Sequence, residues 1–404
     1  MAYNKTVLAR LNKKIVIDMI RTQGPINKAE IARKAGLSIP TVMKITDEFE
    51  RRGLIRNVGK GESTGGKRPD LLEFICDAYY IVGIDIGRHN VKIILMDMSS
   101  GILIQRSFPT REMDLANPRE FLEQVADFAS DIIKESQIEE DKFMGIGIGM
   151  PGLLDYNSGK VIFSPDFNWT DIKIKEIFQE RFPYKILLEN TNKALAMGEY
   201  TYGAAKNSSS LFCINFGYGI GAAIVEEGKI VYGHNGANGE FGHIMIKADG
   251  PLCDCGHRGC LEAVSSGNAI AKTLKRRMSE GENSILKQYQ ESGGELDAKM
   301  VFQAAEKGDS LSKAVIQEAI EYLGIAIAGA INLLDPEVIV LAGGVTNGKA
   351  LYEDLLRKTI SEHKMKYSGR NVKVKFGVLG EYGTAIGMGA MFMSDFLENG
   401  GVNC

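Results

Sequence analysis

Cysteine, histidine and tryptophan are scarce in this chain, whose 404 residues include six cysteines, five histidines and one tryptophan. So few cysteines exclude a disulfide-rich scaffold, and the scattered Cys76, Cys213 and Cys404 favour a reducing cytoplasm. No apolar run approaches the ~20 residues that a membrane-spanning helix needs. The first residues lack the hydrophobic segment of a secretory signal. We therefore expect a cytoplasmic protein of two or three domains with no membrane partner.

Charge is unevenly distributed along the chain. Residues 1–70 carry 15 lysines and arginines but only 7 aspartates and glutamates, which gives a net charge of +8. The remaining residues carry 33 lysines and arginines and 44 aspartates and glutamates, which gives a net charge of −11. A basic N-terminal region joined to an acidic body indicates that the N-terminal region binds a polyanion.

The N-terminal region has the pattern of a winged helix-turn-helix. Apolar residues recur at helical spacing from about residue 4 to 22, and Gly24-Pro25 ends that helix. Asn27 and Ser38 are suitable N-caps for two further short helices, with a Gly-containing turn between them. Two strands then flank a basic, glycine-rich tip at residues 59–69, which is typical of a wing. The alternatives are a helical protein-interaction module or a basic surface that binds nothing.

If this domain binds DNA, three sets of side chains are expected to do so. Thr41 and Lys44 are predicted to reach base edges, and Ser38 and Pro40 to contact the DNA backbone. Lys60, Lys67 and Arg68 in the wing are predicted to reach phosphates or the minor groove. The sequence does not separate these roles securely.

Three cysteines and one histidine form a compact candidate metal site, which contains His243, Cys253, Cys255 and Cys260. Three thiolates and one imidazole fill a tetrahedral zinc shell and leave no open position for a catalytic water. Gly256 and Gly259 allow tight turns between closely spaced ligands. The alternative is a disulfide or unrelated thiols. The spacing of soft sulfur ligands favours one structural zinc ion.

The segments around this cluster resemble the ROK family of bacterial sugar kinases and sugar-responsive repressors. The similarity rests on Gly-Glu-Phe-Gly-His at residues 239–243 and Cys-Asp-Cys-Gly-His-Arg-Gly-Cys-Leu-Glu at 253–262, and it extends from about residue 79 to the C-terminus. It implies that Asn190, Glu240, His243 and Glu262 bind a sugar. Asp166 and Asn168 match another sugar-binding loop, although family members often have Asn in place of Asp166. Trp169 could stack on the sugar or pack in the core.

The body contains an internal repeat that agrees with the resemblance. Residues 80–87 and 211–217 are both strand-like runs that end in Asp/Asn-x-Gly, and each is followed by two further strands and then by alternating helices and strands. The predicted fold is therefore an α/β two-lobed actin-like ATPase or sugar-kinase fold with an N-terminal winged helix-turn-helix domain. The predicted domains are 1–78, a first lobe at 79–197 joined by a helix at 382–398, and a second lobe at 198–381 with the zinc and sugar sites.

Three departures from the family's kinases argue against phosphoryl transfer. Arg88 and His89 replace the small residues of the first phosphate turn, and Tyr218 replaces Thr in the second. Thr191 stands where the kinases have an aspartate as general base, and its hydroxyl is too weak a base for that role.

The sequence thus predicts a DNA-binding repressor of carbohydrate-utilisation genes that is not an enzyme. Its motif order is most similar to that of xylose repressors, and next to repressors of glucose or N-acetylglucosamine systems. The expected partners are operator DNA, xylose or a related sugar, and a second copy in a homodimer or higher homo-oligomer. One rival is an active ATP-dependent sugar kinase with an accessory DNA-binding domain. Another is a DNA-bound scaffold that responds to a protein.

Overall fold

The computed structural model describes residues 5–62, 68–367 and 369–401. Its tertiary contacts divide the chain into two units. The first unit comprises Met1–Glu189 and Met388–Cys404, and the second comprises Asn190–Gly387.

The first unit begins with three helices and a small sheet whose strands are ordered β1-β3-β2. In chain order these elements are α1 (Lys5–Gln23), β1 (Ile26–Asn27), α2 (Lys28–Ala35), α3 (Ile39–Arg51), β2 (Ile55–Lys60) and β3 (Asp70–Phe74). Asn27 caps α2 by accepting the Glu30 amide at 2.8 Å, and Gly36, with φ of 64°, ends this helix. Ser38 then caps α3, as predicted. These caps and turns give the predicted winged helix-turn-helix.

The first unit continues into a five-stranded sheet ordered β11-β7-β4-β5-β6 and a separate sheet ordered β10-β9-β8. Its elements are β4 (Tyr80–Ile86), β5 (Asn90–Asp97), β6 (Ile102–Pro109), α4 (Pro118–Ser136), β7 (Phe143–Met150), β8 (Leu153–Asp155), β9 (Lys160–Ser164), β10 (Trp169–Ile172), α5 (Ile174–Gln179) and β11 (Lys185–Asn190). Apolar side chains of β4, β5, β7 and α4 form one continuous core. The apolar runs of β4 and β7 are buried over nearly their whole length, as expected for central strands.

The second unit is built around another five-stranded sheet, ordered β14-β13-β12-β15-β16. Its elements are α6 (Thr191–Thr201), β12 (Ser210–Phe216), β13 (Ile220–Glu226), β14 (Lys229–Ile230), α7 (Leu261–Ser265), α8 (Gly267–Ser279), α9 (Lys287–Glu291), α10 (Ala298–Glu306), α11 (Ser310–Leu334), β15 (Val338–Ala342), α12 (Glu353–His363) and β16 (Lys373–Phe376). By length and composition, α11 is apolar enough to cross a membrane. However, 61% of its most apolar window is buried, and it packs in the core of this unit.

The last helix, α13 (Gly383–Glu398), contributes residues to both units. In the first unit it lies against β7 at glycines that leave room for it. A Cβ at Gly147 would come within 2.7 Å of Met388, and one at Gly145 within 2.5 Å of the Phe392 ring. The glycines of β7 therefore allow the helix to approach the sheet closely.

The two large sheets have the same strand topology. In each, the first strand pairs antiparallel with the second, which pairs antiparallel with the third. The first strand also pairs in parallel with the strand that follows the crossover, β7 in one sheet and β15 in the other. This agreement confirms the predicted repeat of two α/β lobes.

Candidate functional site

Four potential metal ligands meet in the second unit. The ligand atoms of His243, Cys253, Cys255 and Cys260 all lie within 4.8 Å of one another. The Cys255 and Cys260 sulfurs are 3.6 Å apart, and the Cys253 sulfur is 3.7 Å from Nδ1 of His243. Donor atoms on one tetrahedral zinc ion are about 3.3–3.8 Å apart. The cluster therefore has the donors and spacing to hold a metal ion, and none of its cysteines forms a disulfide.

The loop that carries the cysteines folds back on itself through backbone hydrogen bonds. The Cys253 amide donates to the His257 carbonyl at 2.7 Å, and the Gly256 amide to the Cys253 carbonyl at 2.9 Å. Gly256 and Gly259 have φ of 93° and 72°, and a Cβ at Gly259 would lie 1.6 Å from the Lys247 carbonyl oxygen. A side chain at position 259 would collide with this carbonyl oxygen, so the position requires glycine.

The cysteines differ in acidity. Burial, together with the neighbouring thiols, raises the pKa of Cys253 to about 12. Some burial opposes ionisation of Cys255 too, but hydrogen bonds from His257 and from the other two thiols lower the pKa of Cys255 to about 6. A bound cation would favour ionisation of all three thiols.

His243 links the metal cluster to a carboxylate. Its Nδ1 faces Cys253, and its Nε2 lies 3.8 Å from Oε2 of Glu240. The Glu240 side chain is 67% exposed, so it is accessible to a ligand. A single imidazole can therefore bind a metal through one nitrogen while the other faces a small molecule.

Glu262 contacts the turn between β12 and β13. Its Oε2 accepts a hydrogen bond from the Ile220 amide at 2.8 Å. A Cβ at Gly219 would lie 2.4 Å from the same oxygen. Glu262 therefore engages the amide that follows this turn.

The start of α6 lies beside the same turn. The Asn190 side chain caps α6 by accepting the Asn192 amide at 2.9 Å. The Asn192 side chain accepts a hydrogen bond from Asn215 at 3.0 Å, and a Cβ at Gly221 would collide with it. Asn190, Glu262 and the turn at 217–219 are therefore grouped around one end of the second sheet.

Thr191 occupies the first position of α6, where the kinases have their base. Its hydroxyl oxygen is enclosed and has no hydrogen-bond partner among the described residues. A buried hydroxyl without a partner is destabilising. Neither its chemistry nor its surroundings equip it to accept a proton from a sugar.

The first turn, between β4 and β5, also differs from a phosphate-binding turn. Arg88 forms an ion pair with Asp166 at 3.2 Å. Asp166, which was predicted to bind the sugar, therefore contacts one of the residues that distinguish this turn from that of the kinases. Oδ1 of Asp85 is enclosed and lacks a hydrogen-bond partner among the described residues. Burial raises the pKa of Asp85 to about 7, although Lys92 acts in the opposite direction. Asn168 lies nearby in the chain, exposed and with φ of 53°.

Trp169 packs in the core of the first unit and does not offer a face to a sugar. Its side chain is buried, its indole N–H donates to the Leu115 carbonyl at 2.9 Å, and its ring contacts Phe121 and Phe167. Of the two roles considered from the sequence, the structural one is therefore correct.

The predicted DNA-contacting residues lie at the start of α3 and in the wing. Ser38 and Pro40 are exposed, as is Lys44, whereas Thr41 is half-buried with its hydroxyl 2.8 Å from that of Ser38. In the wing, Lys60 pairs with Asp70 at 2.5 Å and Arg68 is exposed. Lys67 lies outside the described residues.

Two features of this region were not anticipated. Ile39 and Met43 on α3 expose 51% and 46% of their surface. Their spacing of four residues, which places them on one face of a helix, could have revealed this.

The second feature is a contact with the C-terminal segment. Lys14 pairs with Glu398, and Arg52 donates to the Gly401 carbonyl. The end of α13 and the residues just after it thus contact the helix-turn-helix, which no local sequence pattern indicates.

Comparison with known proteins agrees with this architecture. The ROK family model matches residues 81–395, and the MarR family model matches residues 15–58. The chain is 29% identical over 396 residues to the "Xylose repressor" of Caldicellulosiruptor bescii, covering 98% of both chains. It is 31% identical over 392 residues to the "DNA-binding transcriptional dual regulator NagC" of Escherichia coli, covering 96% of this chain and 93% of the other.

Solved structures match the whole chain or its body. A ROK family transcriptional regulator, described as a homologue of the E. coli MLC protein, has a TM-score of 0.83 and 26% identity over 98% of both chains. A ROK family glucokinase from Streptomyces griseus, solved with glucose and AMPPNP, has a TM-score of 0.66 and 26% identity, covering 77% of this chain and 98% of the other. The chain belongs to the ROK family.

Proposed function

We propose that this protein is a transcriptional repressor of carbohydrate-utilisation genes whose operator binding is controlled by a sugar. The observation that carries the proposal is the combination of a winged helix-turn-helix with a sugar-kinase body that has an alcohol, Thr191, in place of the general base. Full-length similarity to proteins named as repressors supports it. By analogy with the first of these relatives, the effector is xylose or a related sugar.

A structural zinc ion held by His243, Cys253, Cys255 and Cys260 is part of this proposal. The donor set, its mutual distances and the low pKa of Cys255 fit zinc. The ion would fix the loop that follows β14 and hold the His243 ring in one orientation. It would take no part in a reaction, because four protein ligands complete its shell.

The sugar is proposed to bind to Asn190, Glu240, His243 and Glu262. Each hydroxyl of a sugar both donates and accepts hydrogen bonds, and these side chains offer acceptors together with an imidazole. Exposure of Glu240, next to His243, supports their accessibility. Asp166 and Asn168 in the first unit remain proposed further contacts, and the ion pair with Arg88 weakens the case for Asp166.

Phosphoryl transfer is not part of the proposed function. Thr191 stands in place of the base with its hydroxyl enclosed, and Arg88 of the first turn is paired with Asp166. A kinase needs both a base and positioned phosphate contacts. ATP-dependent phosphorylation of a hexose and pentose panel should therefore remain at background. Turnover that is lost in Glu240→Ala would support the rival kinase function.

The sugar signal is proposed to reach the helix-turn-helix through α13, because the residues of α13 belong to both units and its end contacts the helix-turn-helix.

The repressor is proposed to act as a homodimer, since two DNA-binding domains on a two-fold axis match a pseudo-palindromic operator. We expect sugar to release DNA. Sugar and operator then oppose one another reciprocally, by the same factor.

The experiment that tests this function measures the thermal stability of the full chain against a panel of sugars, followed by DNA binding with each sugar that stabilises it. A sugar that raises the melting temperature and weakens operator binding is expected. If no sugar in the panel stabilises the protein while it still binds DNA specifically, the scaffold that responds to a protein becomes the better explanation.

A further inference from the structure

The first turns of α3 expose an unusual amount of apolar surface. Ile39 and Met43, four residues apart, share one helix face and are 51% and 46% exposed. Pro40 beside them is exposed too. A different face, with Val42, Ile45 and Phe49, fills the core of the domain. The apolar patch formed by Ile39, Pro40 and Met43 is therefore not needed for folding of the domain.

Polar side chains around this patch are already engaged within the protein. The hydroxyls of Ser38 and Thr41 are 2.8 Å apart, and Ser38 also accepts the Thr41 amide. One turn further on, Asp47 is paired with Lys28 at 3.0 Å. Thr41 thus acts in capping α3. Among the exposed residues of the first turns, Lys44 offers a positive charge and its neighbours offer apolar surface.

The surroundings of the patch suit nucleic acid better than protein. Arg33, Lys34, Lys44 and Arg51 are exposed on α2 and α3, and the N-terminal 70 residues carry a net charge of +8. The N-terminal residues of a recognition helix contact base edges in the major groove. The only apolar group on those edges is the thymine C5-methyl.

We propose that Ile39 and Met43 read thymine methyl groups, so that part of the operator sequence is specified by apolar contacts. This inference rests on the proposed function, because it requires that α3 enters the major groove. Each operator half-site then contains thymines that face the start of α3. Lys44 contributes a contact to phosphate or to a neighbouring base.

The test uses the full-length protein and a DNA duplex enriched from a randomised library. The same duplex is then synthesised with dU in place of dT, which removes only the methyl groups. Affinity is expected to fall by about fourfold for each contacted methyl, from the free energy of burying one such group. Binding to an unselected duplex should not change on the same replacement.

Protein variants separate the apolar contacts from other causes. Ile39→Ala combined with Met43→Ala should bind the dT and dU duplexes equally. Lys44→Ala, the control on the same helix, should weaken both and keep their ratio. Equal affinity of the wild type for both duplexes would overturn the inference while leaving sequence-specific binding intact. Failure to enrich any duplex would contradict the proposed function and this inference with it.

Discussion

The two hairpin turns at the ends of the central strands occupy equivalent positions in the two sheets, yet they differ from each other in chemistry. In the first unit, Asp85 keeps a carboxylate whose enclosed oxygen has no hydrogen-bond partner among the described residues. In the second, Asn215 replaces that charge with an amide bonded to Asn192. Beside the second turn, Glu262 accepts a hydrogen bond from the Ile220 amide. Altered phosphate turns beside the proposed sugar-binding residues fit the proposed sensor better than a kinase.

The largest expected effect concerns the candidate metal site of the second unit, where all four ligands are present. Cys260→Ser should remove the metal and lower the free energy of unfolding of the second unit by about 4 kcal/mol or more. Cys260 is buried and supplies one of four ligands. Cys76→Ser in the first unit is the control and should keep the metal. Metal analysis and denaturant unfolding of both variants provide the measurement, and a metal-free but fully stable wild type would contradict the zinc site.

A smaller effect is expected at the wing. Arg68→Ala should weaken binding to specific and unselected duplexes alike and reduce the slope of log affinity against log salt by about 0.9, the value for one phosphate contact. Arg68 is exposed beside the wing tip. Binding at several salt concentrations measures the slope. A change confined to one DNA sequence would instead indicate that Arg68 reads bases.

The enclosed hydroxyl of Thr191 gives a prediction of opposite sign. Thr191→Val keeps the shape of the side chain and removes an unpartnered polar group, so it should stabilise the protein by roughly 1 kcal/mol. The sugar response should be retained. Thr191→Ser, which keeps the hydroxyl, is the matched comparison in thermal unfolding. Destabilisation by valine would mean that the hydroxyl has a partner in solution.

A pH dependence should also distinguish the two turns. Because burial raises the folded-state pKa of Asp85 to about 7 from its ordinary 3.8, ionisation is penalised in the folded state. Stability from this group is full below pH 4 and is lost progressively as the pH rises to about 7. Asp85→Asn should therefore stabilise the protein more at pH 8 than at pH 5. Asn215→Ala, in the uncharged turn, should show the same effect at both pH values.

Much of the fold could be predicted because its signals are local. The caps at Asn27 and Ser38 and the repeated strand runs at 80–87 and 211–217 depend on neighbours in the sequence, and the structure has them as expected. The metal cluster could be predicted as well, since three of its four ligands lie within eight residues.

What could not be predicted depends on contacts between distant segments. Arg88 meets Asp166 across 78 residues, and Lys14 meets Glu398 across 384. The role of Trp169 was undecided because an indole fits both a core and a sugar face, and only the Leu115 carbonyl and the Phe121 ring decided it. Such pairings follow from the tertiary fold, and no spacing along the chain encodes them.

Operator affinity should be measured against sugar concentration for the wild type, Glu240→Ala and the surface control Glu280→Ala. This measurement tests most directly whether a sugar bound at the proposed site controls operator binding. Removing the Glu240 carboxylate leaves sugar hydroxyls without an acceptor, at a cost on the order of 1–3 kcal/mol. We predict that Glu240→Ala binds operator normally but needs roughly tenfold or more sugar for release, whereas Glu280→Ala, whose carboxylate pairs with Arg276 on the surface, responds like the wild type. If Glu240→Ala also responds like the wild type, the effector binds elsewhere and the proposed sugar site is wrong.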